Sequence, residues 1–325
     1  MSNTSTYTNI SLEDTPTDNL NDYSKTVYKI IYLLTRVFSL VSLILVFVWV
    51  SLDNNNNSNL GGLYPINMSD PSSNNFKYVF NWHPVMMILG MLFCLVEACL
   101  SYKTWNHLGT IRGIKIAKLI HLIWQTAAVI CSSVGLIAVF LSHNKIDPDN
   151  PSSYKANLYS LHSWIGIAVI TMYYAQYVVA LYTFLTPYSV SSISNRVNYK
   201  PYHIYFGLFL LFAAGMAIES GIQEKLTLLT LSGISCSANV PTDEADTNPA
   251  KYYQQMPLVC KKANWLGLSV FITIMFAGLS IFLINGSKTS LKSSLLENEV
   301  NYKKKKLYRC LIRFIYFNNL KKKLI

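Results

Sequence analysis

Six stretches of this 325-residue chain, near residues 30–50, 80–100, 116–141, 158–185, 202–222 and 265–284, are predominantly apolar over about 20 residues or more. A helix of about 20 residues crosses the roughly 30 Å hydrocarbon core of a bilayer. Charged residues make up 13% of the chain, about half the roughly 25% usual in soluble domains. The chain is therefore read as an all-α integral membrane protein with six transmembrane helices. Segments two to five are expected to form a four-helix bundle, with segments one and six flanking it. No loop is long enough to hold a separate soluble domain.

The basic residues set the expected orientation. Of 27 Lys and Arg, only Lys77, Lys145, Lys155, Lys225, Lys251, Lys261 and Lys262 fall toward one face. The remainder lie with the two termini and the loops after segments two and four, which places both termini in the cytoplasm. The acidic N-terminus lacks the basic n-region of a secretory signal, so segment one is expected to be retained as a helix. Three parts follow: a disordered cytoplasmic stretch 1–25, a membrane domain 26–286 and a basic cytoplasmic tail 287–325. The net charge of +11 is concentrated in that tail, at Lys303–Lys306 and Lys321–Lys323. It points to anionic inner-leaflet lipid as partner and not to nucleic acid. Cys236 and Cys260 share the last outer loop. An oxidising compartment would allow them to pair, and sequence leaves that pairing open.

The chemistry lies in four histidines. His83, His121, His162 and His203 each fall within about two helical turns of the start of segments two, three, four and five. Consecutive spans alternate in direction, so His83 and His162 share one membrane face and His121 and His203 the other. Intramembrane ionisable groups are functional sites by default, and neutral imidazole is a standard axial ligand of haem iron. Two bis-imidazole sites near opposite faces suggest paired haems that move electrons across the bilayer. Gly166 follows His162 by four, Gly207 follows His203 by four, and Gly90 and Gly135 fall on the corresponding stripes. Such positions let a flat macrocycle lie against backbone, although helix packing also favours small residues. Zinc needs three or four converging ligands, and no intramembrane carboxylate is expected at the level of either pair. Neither a Gly-x-Ser-x-Gly elbow nor a phosphate-cradling glycine loop is present.

Asn81-Trp82-His83-Pro84, Lys118-Leu119-Ile120-His121 and Tyr159-Ser160-Leu161-His162-Ser163-Trp164 carry a resemblance to a known family. Pro201-Tyr202-His203 with Gly207 and the segment-three ending Val139-Phe140-Leu141-Ser142-His143-Asn144 extend it. Together these stretches resemble the cytochrome b561 family over about residues 28–284. The resemblance implies six helices and two b-type haems without covalent attachment. His83 and His162 would hold the non-cytoplasmic haem iron, and His121 and His203 the cytoplasmic one. It also implies electron transfer from cytoplasmic ascorbate to monodehydroascorbate or a ferric chelate, and a homodimer. The sequence leaves the host membrane open between an endosomal or vesicular one and the plasma membrane.

Ascorbate is an anion and needs positive charge at the cytoplasmic face. Arg112, Lys115 and Lys118 lead into segment three, and Arg196 with Lys200 leads into segment five. Lys115 and Lys118 rank first, being six and three residues before His121. On the outer face His143 matches a family histidine associated with the acceptor site, and Phe140 would wall the same pocket. Two departures from the family stand out. Gln125 occupies a position where many members carry a second histidine, and Ser101-Tyr102-Lys103-Thr104-Trp105 replaces the usual basic motif. A haem subunit fed by a partner dehydrogenase and a non-redox transporter remain the alternative readings.

Overall fold

The computed structural model describes residues 16–51, 58–64, 76–106, 111–144, 156–187, 189–234, 236 and 256–281. The helices are α1 (Pro16–Val50), α2 (Phe76–Met87), α3 (Leu95–Asn106), α4 (Ile111–Asn144), α5 (Leu161–Leu185) and α6 (Ile193–Leu231), with a π-helical stretch Ile88–Cys94 joining α2 to α3. A further helix, α7, spans Leu258–Ile281. Since α2, the π stretch and α3 are continuous, six spans among the described residues are long and apolar enough to cross a membrane. No strand occurs among the described residues. The chain divides into two compact units, Met1–Gly278 and Leu279–Ile325. The first holds every element that bears on the site, and only the end of α7 is described in the second. α1 starts at Pro16, inside the stretch expected to be disordered.

Burial follows the 3.6-residue period. On α1 the residues Ile31, Thr35, Ser39, Ser42, Val46 and Trp49 are buried and recur at steps of three or four, which puts them on one face. Ile30, Leu33, Val37, Leu40 and Ile44 are exposed on the opposite side, as suits contact with lipid. The buried hydroxyls are satisfied locally: Thr35 donates to the Ile31 carbonyl at 2.8 Å and Ser42 to that of Phe38 at 2.9 Å. Ser42 and Ser269 also meet at 2.8 Å, a small-residue contact that brings α1 and α7 close.

The second span is the most enclosed. Val85, Ile88, Leu92, Val96, Ala98 and Leu100 are all buried. Pro84 sits inside α2 directly after His83. It lacks the N–H that would bond four residues back, and the helix widens to π geometry over the following residues Ile88–Cys94. Such widening is rare and concentrates near functional sites. The principal hydrophobic cluster joins Val46, Trp49, Val85, Ile88, Leu92, Leu266, Val270 and Ile274. Apolar packing is therefore centred on α1, the second span and α7. The space among α2, α4, α5 and α6 is built differently.

Those four helices form two packed pairs, with α2 and α3 against α4, and α5 against α6. Across the bundle α4 and α5 meet through polar side chains. Tyr173 donates to the Gln125 side-chain oxygen at 2.5 Å, Tyr177 and Thr126 hydroxyls lie 2.8 Å apart, and Tyr174 meets Ser132 at 3.0 Å and Ser133 at 2.7 Å. On both helices these residues fall between the levels of the two histidine pairs, so the tyrosines separate two compartments. The expected bundle of segments two to five, flanked by one and six, is the arrangement found.

Candidate redox centres

The outer compartment is framed by α2 and α5. Ser160 caps α5 by accepting from the Ser163 amide at 3.2 Å, which fixes the first turn that carries His162. The His83 and His162 rings face each other with centroids 6.1 Å apart and planes at 80°. His83 Nδ1 lies 3.0 Å from the Gly135 carbonyl. His162 Nδ1 lies 2.9 Å from the Ala217 carbonyl and 3.3 Å from Ser220 Oγ. A carbonyl can only accept, so each ring carries its proton on Nδ1 and presents the Nε2 lone pair. Gly221 makes the fit: a Cβ there would come 2.6 Å from His162 Cε1.

The inner compartment repeats the arrangement with α4 and α6. His121 and His203 are 6.2 Å apart with planes at 77°. His121 Nδ1 bonds the Ala98 carbonyl at 2.8 Å. His203 differs: its Nδ1 is buried with no hydrogen-bond partner among the described residues. Phe184 at 5.6 Å and Tyr199 at 6.0 Å hold that ring by contact instead. Tyr102 closes on His121 at 5.2 Å.

The spacing identifies what fits between the rings. With a metal–nitrogen bond of about 2.0 Å and about 1.1 Å from nitrogen to ring centre, two imidazoles on opposite sides of one metal have centres roughly 6.2 Å apart. Both pairs meet that condition. Among the described residues no group of three or more His, Cys, Asp or Glu converges, so each pair would offer two imidazoles to a metal whose remaining ligands come from a macrocycle. Gly166, one turn inward of His162, has nothing within 4 Å of its Cβ position, as a surface for a flat ring requires. Gly90 and Gly135 serve another purpose. A Cβ at Gly90 would lie 2.9 Å from Cys131 Cβ, and one at Gly135 would lie 3.0 Å from Met87 Cε, so both seat α2 against α4. A Cβ at Gly207 would come 3.1 Å from Gln176 Nε2. One expectation needs correction at both levels: Glu97, next to the Ala98 that bonds His121, is an intramembrane carboxylate near the inner pair, where it is tied to Arg36, and Glu219, next to Ser220, is one at the level of the outer pair. It lies against Gly267 of α7 instead of joining the histidines.

The two ends of the bundle differ in chemistry. At the outer end, His143 in the last turn of α4 stacks on Phe80 at 6.4 Å and 6°. Phe80 is in turn 6.0 Å from His83, and Phe140 and His143 line the same cleft as His83 and His162. Tyr159 and Ser160 donate to the two Glu224 oxygens at 2.7 and 2.8 Å, and Lys225 Nζ lies 4.6 Å over the Phe80 ring. At the inner end Lys115 and Lys118 are exposed on α4 before His121. Arg196 is committed to the α5–α6 turn, donating to the Ser191 carbonyl at 3.2 Å and to that of Thr186. The Arg112 side chain lies outside the described residues.

Sequence reading missed Phe80, Tyr159, Gly221, Glu224 and Lys225 at the outer site. Glu224-Lys225 was visible as a charged pair just past the end of the fifth apolar stretch. It also missed an intramembrane ion pair, Arg36 Nη2 to Glu97 Oε2 at 2.6 Å. The Cys236–Cys260 bond left open by the sequence is formed, with Cα atoms 5.5 Å apart.

Fold and site define an all-helical membrane protein with two facing-histidine centres, one toward each end of a four-helix bundle. A family model described as eukaryotic cytochrome b561 matches residues 82–229. A Caenorhabditis elegans protein named as a putative transmembrane ascorbate-dependent reductase is 31% identical over 221 residues, 66% of this chain and 76% of that one. A Danio rerio lysosomal membrane ascorbate-dependent ferrireductase is 34% identical over 205 residues, covering 62% and 70%. A Zea mays ascorbate-specific transmembrane electron transporter is 39% identical over 165 residues, 50% of this chain and 63% of that protein. The chain thus spans somewhat under two thirds of the maize relative's length. It belongs to the cytochrome b561 family, whose cofactor is haem b, and its facing histidines fit that group.

Proposed function

We propose that this protein is an ascorbate-dependent transmembrane oxidoreductase holding two haems b. His83 and His162 would ligate the non-cytoplasmic haem, and His121 and His203 the cytoplasmic one. The observation that carries the reading is the pair of ring separations, 6.1 and 6.2 Å, at two levels of one bundle. When bound, haem supplies one-electron chemistry by cycling iron between ferric and ferrous states. The chain sets the conditions for it. With an imidazole on each side, His83 with His162 and His121 with His203 would hold the group in a way that favours electron transfer over oxygen activation. Nδ1 bonds to Gly135, Ala217 and Ala98 fix three ring orientations and raise ligand basicity.

Lys115 and Lys118 attract ascorbate, an anion that gives up one electron and one proton at the cytoplasmic face. The acceptor, a ferric chelate or monodehydroascorbate, docks beside His143 and Phe140. The charge asymmetry of the loops and the Cys236–Cys260 disulfide, at home in an oxidising compartment, support cytoplasmic termini. Pairing of two copies is part of the proposal and is checked by light scattering of the detergent-solubilised protein.

Purified protein should show a dithionite-reduced minus oxidised spectrum typical of b-type haem, with two haems per chain, and ascorbate should reduce it. Reduction by dithionite but not ascorbate would favour a subunit fed by a partner dehydrogenase. A colourless protein would overturn the redox reading in favour of a transporter.

A further inference from the structure

One indole at the outer cleft makes no hydrogen bond. Trp49, at the end of α1, is 1% exposed and lines the cleft that holds His83 and His162. Its Nε1 is buried and donates to nothing among the described residues. Trp82 shows the ordinary outcome, its Nε1 donating to the Leu63 carbonyl at 3.2 Å. Buried donors are almost always paired, because the bond once made to water has to be replaced. Of the buried polar atoms without a partner among the described residues, Trp49 Nε1 is the one whose residue lines this cleft.

The backbone around it is pinned. The Trp49 carbonyl accepts from the Leu60 amide at 2.9 Å, and that of Val50 accepts from Gly62 at 2.8 Å. Asn81, itself buried, donates from Nδ2 to the Leu60 and Gly62 carbonyls at 3.1 and 2.8 Å. Gly61 and Gly62 both take a φ of 97°, which glycine adopts without strain and which lets this strap turn back on α1. Asn81 stands two residues before His83, so Trp49 and that histidine are fixed to one short strap, residues 60–62. The acceptors nearest the histidines are already engaged. Both Glu224 oxygens accept from Tyr159 and Ser160 at 2.7 and 2.8 Å, and the Gly135 and Ala217 carbonyls bond the two Nδ1 atoms. Leu60, Ile88 and Leu266, which share the hydrophobic cluster of Trp49 and line the same cleft, are apolar.

Resting on the proposed haem at this centre, we infer that Trp49 Nε1 is a hydrogen-bond donor to a carboxylate of the outer macrocycle. Haem b carries two such carboxylate arms. An N–H that meets an ionised oxygen makes a bond roughly twice as strong as a neutral pair. The indole is itself neutral, so it serves that oxygen in an apolar setting without a second charge to desolvate. By drawing charge from the carboxylate it favours the ferrous state. α1, which carries none of the four histidines, thus takes part in the outer centre.

The test compares full-length protein carrying haem b with protein carrying the dimethyl ester of haem b, whose carboxylates are uncharged. W49F keeps an aromatic ring and removes the donor. With haem b, W49F should release the outer haem several-fold faster. It should also raise that haem's ferric-to-ferrous ratio at a fixed potential about threefold, a fraction of one charge-assisted hydrogen bond. The content, spectrum and potential of the inner haem should match wild type. With the ester, the same substitution should change the outer haem little, as a double-mutant cycle requires of two groups in direct contact. Ultraviolet resonance Raman needs no substitution: the indole N–H marker band of one tryptophan should move between the haem b and ester forms of the wild type. Equal effects of W49F with haem b and with the ester, equal shifts at both haems, or an unmoved band each overturn the inference. Should W49F fail to fold, the Raman comparison decides alone. A wild-type protein that binds no haem defeats the redox reading first, an outcome distinct from two bound haems that are indifferent to W49F.

Discussion

His121 and His203 face each other at 6.2 Å, but only His121 is anchored at Nδ1, by the Ala98 carbonyl. His203 keeps its ring in place through Phe184 and Tyr199. Either side chain is needed to complete the inner pair. H121A and H203A should each lower the haem content from two to one per chain, with the outer haem's spectrum retained. H83A and H162A should leave the inner one. Haem quantitation with low-temperature difference spectra checks this. Loss of both haems in every variant would mean that the pairs are not independent sites.

Two glycines near His162 separate packing from cofactor seating. In G221A the new methyl group would meet the imidazole at 2.6 Å, so His162 must turn away and the outer haem should be lost. G166A meets no protein atom within 4 Å. It should leave stability of the haem-free protein unchanged and weaken haem retention several-fold. By contrast G90A, 2.9 Å from Cys131 Cβ, should cost about 1–3 kcal/mol as overpacking between α2 and α4. Thermal unfolding with and without haem distinguishes the three.

Arg36 and Glu97 tie α1 to α3 by an ion pair at 2.6 Å, with side chains 35% and 11% exposed. Removing one partner strands a charge in hydrocarbon. E97Q or R36M should destabilise the protein by about 2 kcal/mol, below the roughly 3–5 kcal/mol of a fully buried pair because Arg36 is partly exposed. The double variant R36M/E97M should recover most of that loss. Denaturation in mild detergent reads the difference, and additivity of the two single effects would exclude direct coupling.

The Cys236–Cys260 bond closes a sequence separation of 24 residues. Its removal in C236S/C260S should cost about 3 kcal/mol in the chain-entropy account. In oriented vesicles with the cytoplasmic face inward, an impermeant reductant followed by an impermeant maleimide should label both cysteines. Labelling only after the vesicles are opened would reverse the proposed orientation.

The membrane fold was legible because the relevant signals are local. Segment length, low charge and the period of Ile31, Thr35, Ser39 and Ser42 need no tertiary information. Alternating span direction was enough to pair His83 with His162 and His121 with His203. Arg36 and Glu97 were visible as charges within apolar runs and Glu224-Lys225 as a charged pair just past one, but their partners were not. A side chain's partner depends on which faces of distant helices meet, and periodicity does not say which faces those are.

The sequence by itself determined the number of spans, their alternation and the depth at which each histidine enters, since these follow from hydrophobic length and order along the chain. Only the tertiary structure decided that α2 with α4 and α5 with α6 pack as pairs, leaving the compartments between them. It alone showed that Gly90 serves packing while Gly166 faces open space, and that Lys225 comes over Phe80. Those outcomes depend on helix rotation and close approach, which are set by contacts between residues far apart in the chain.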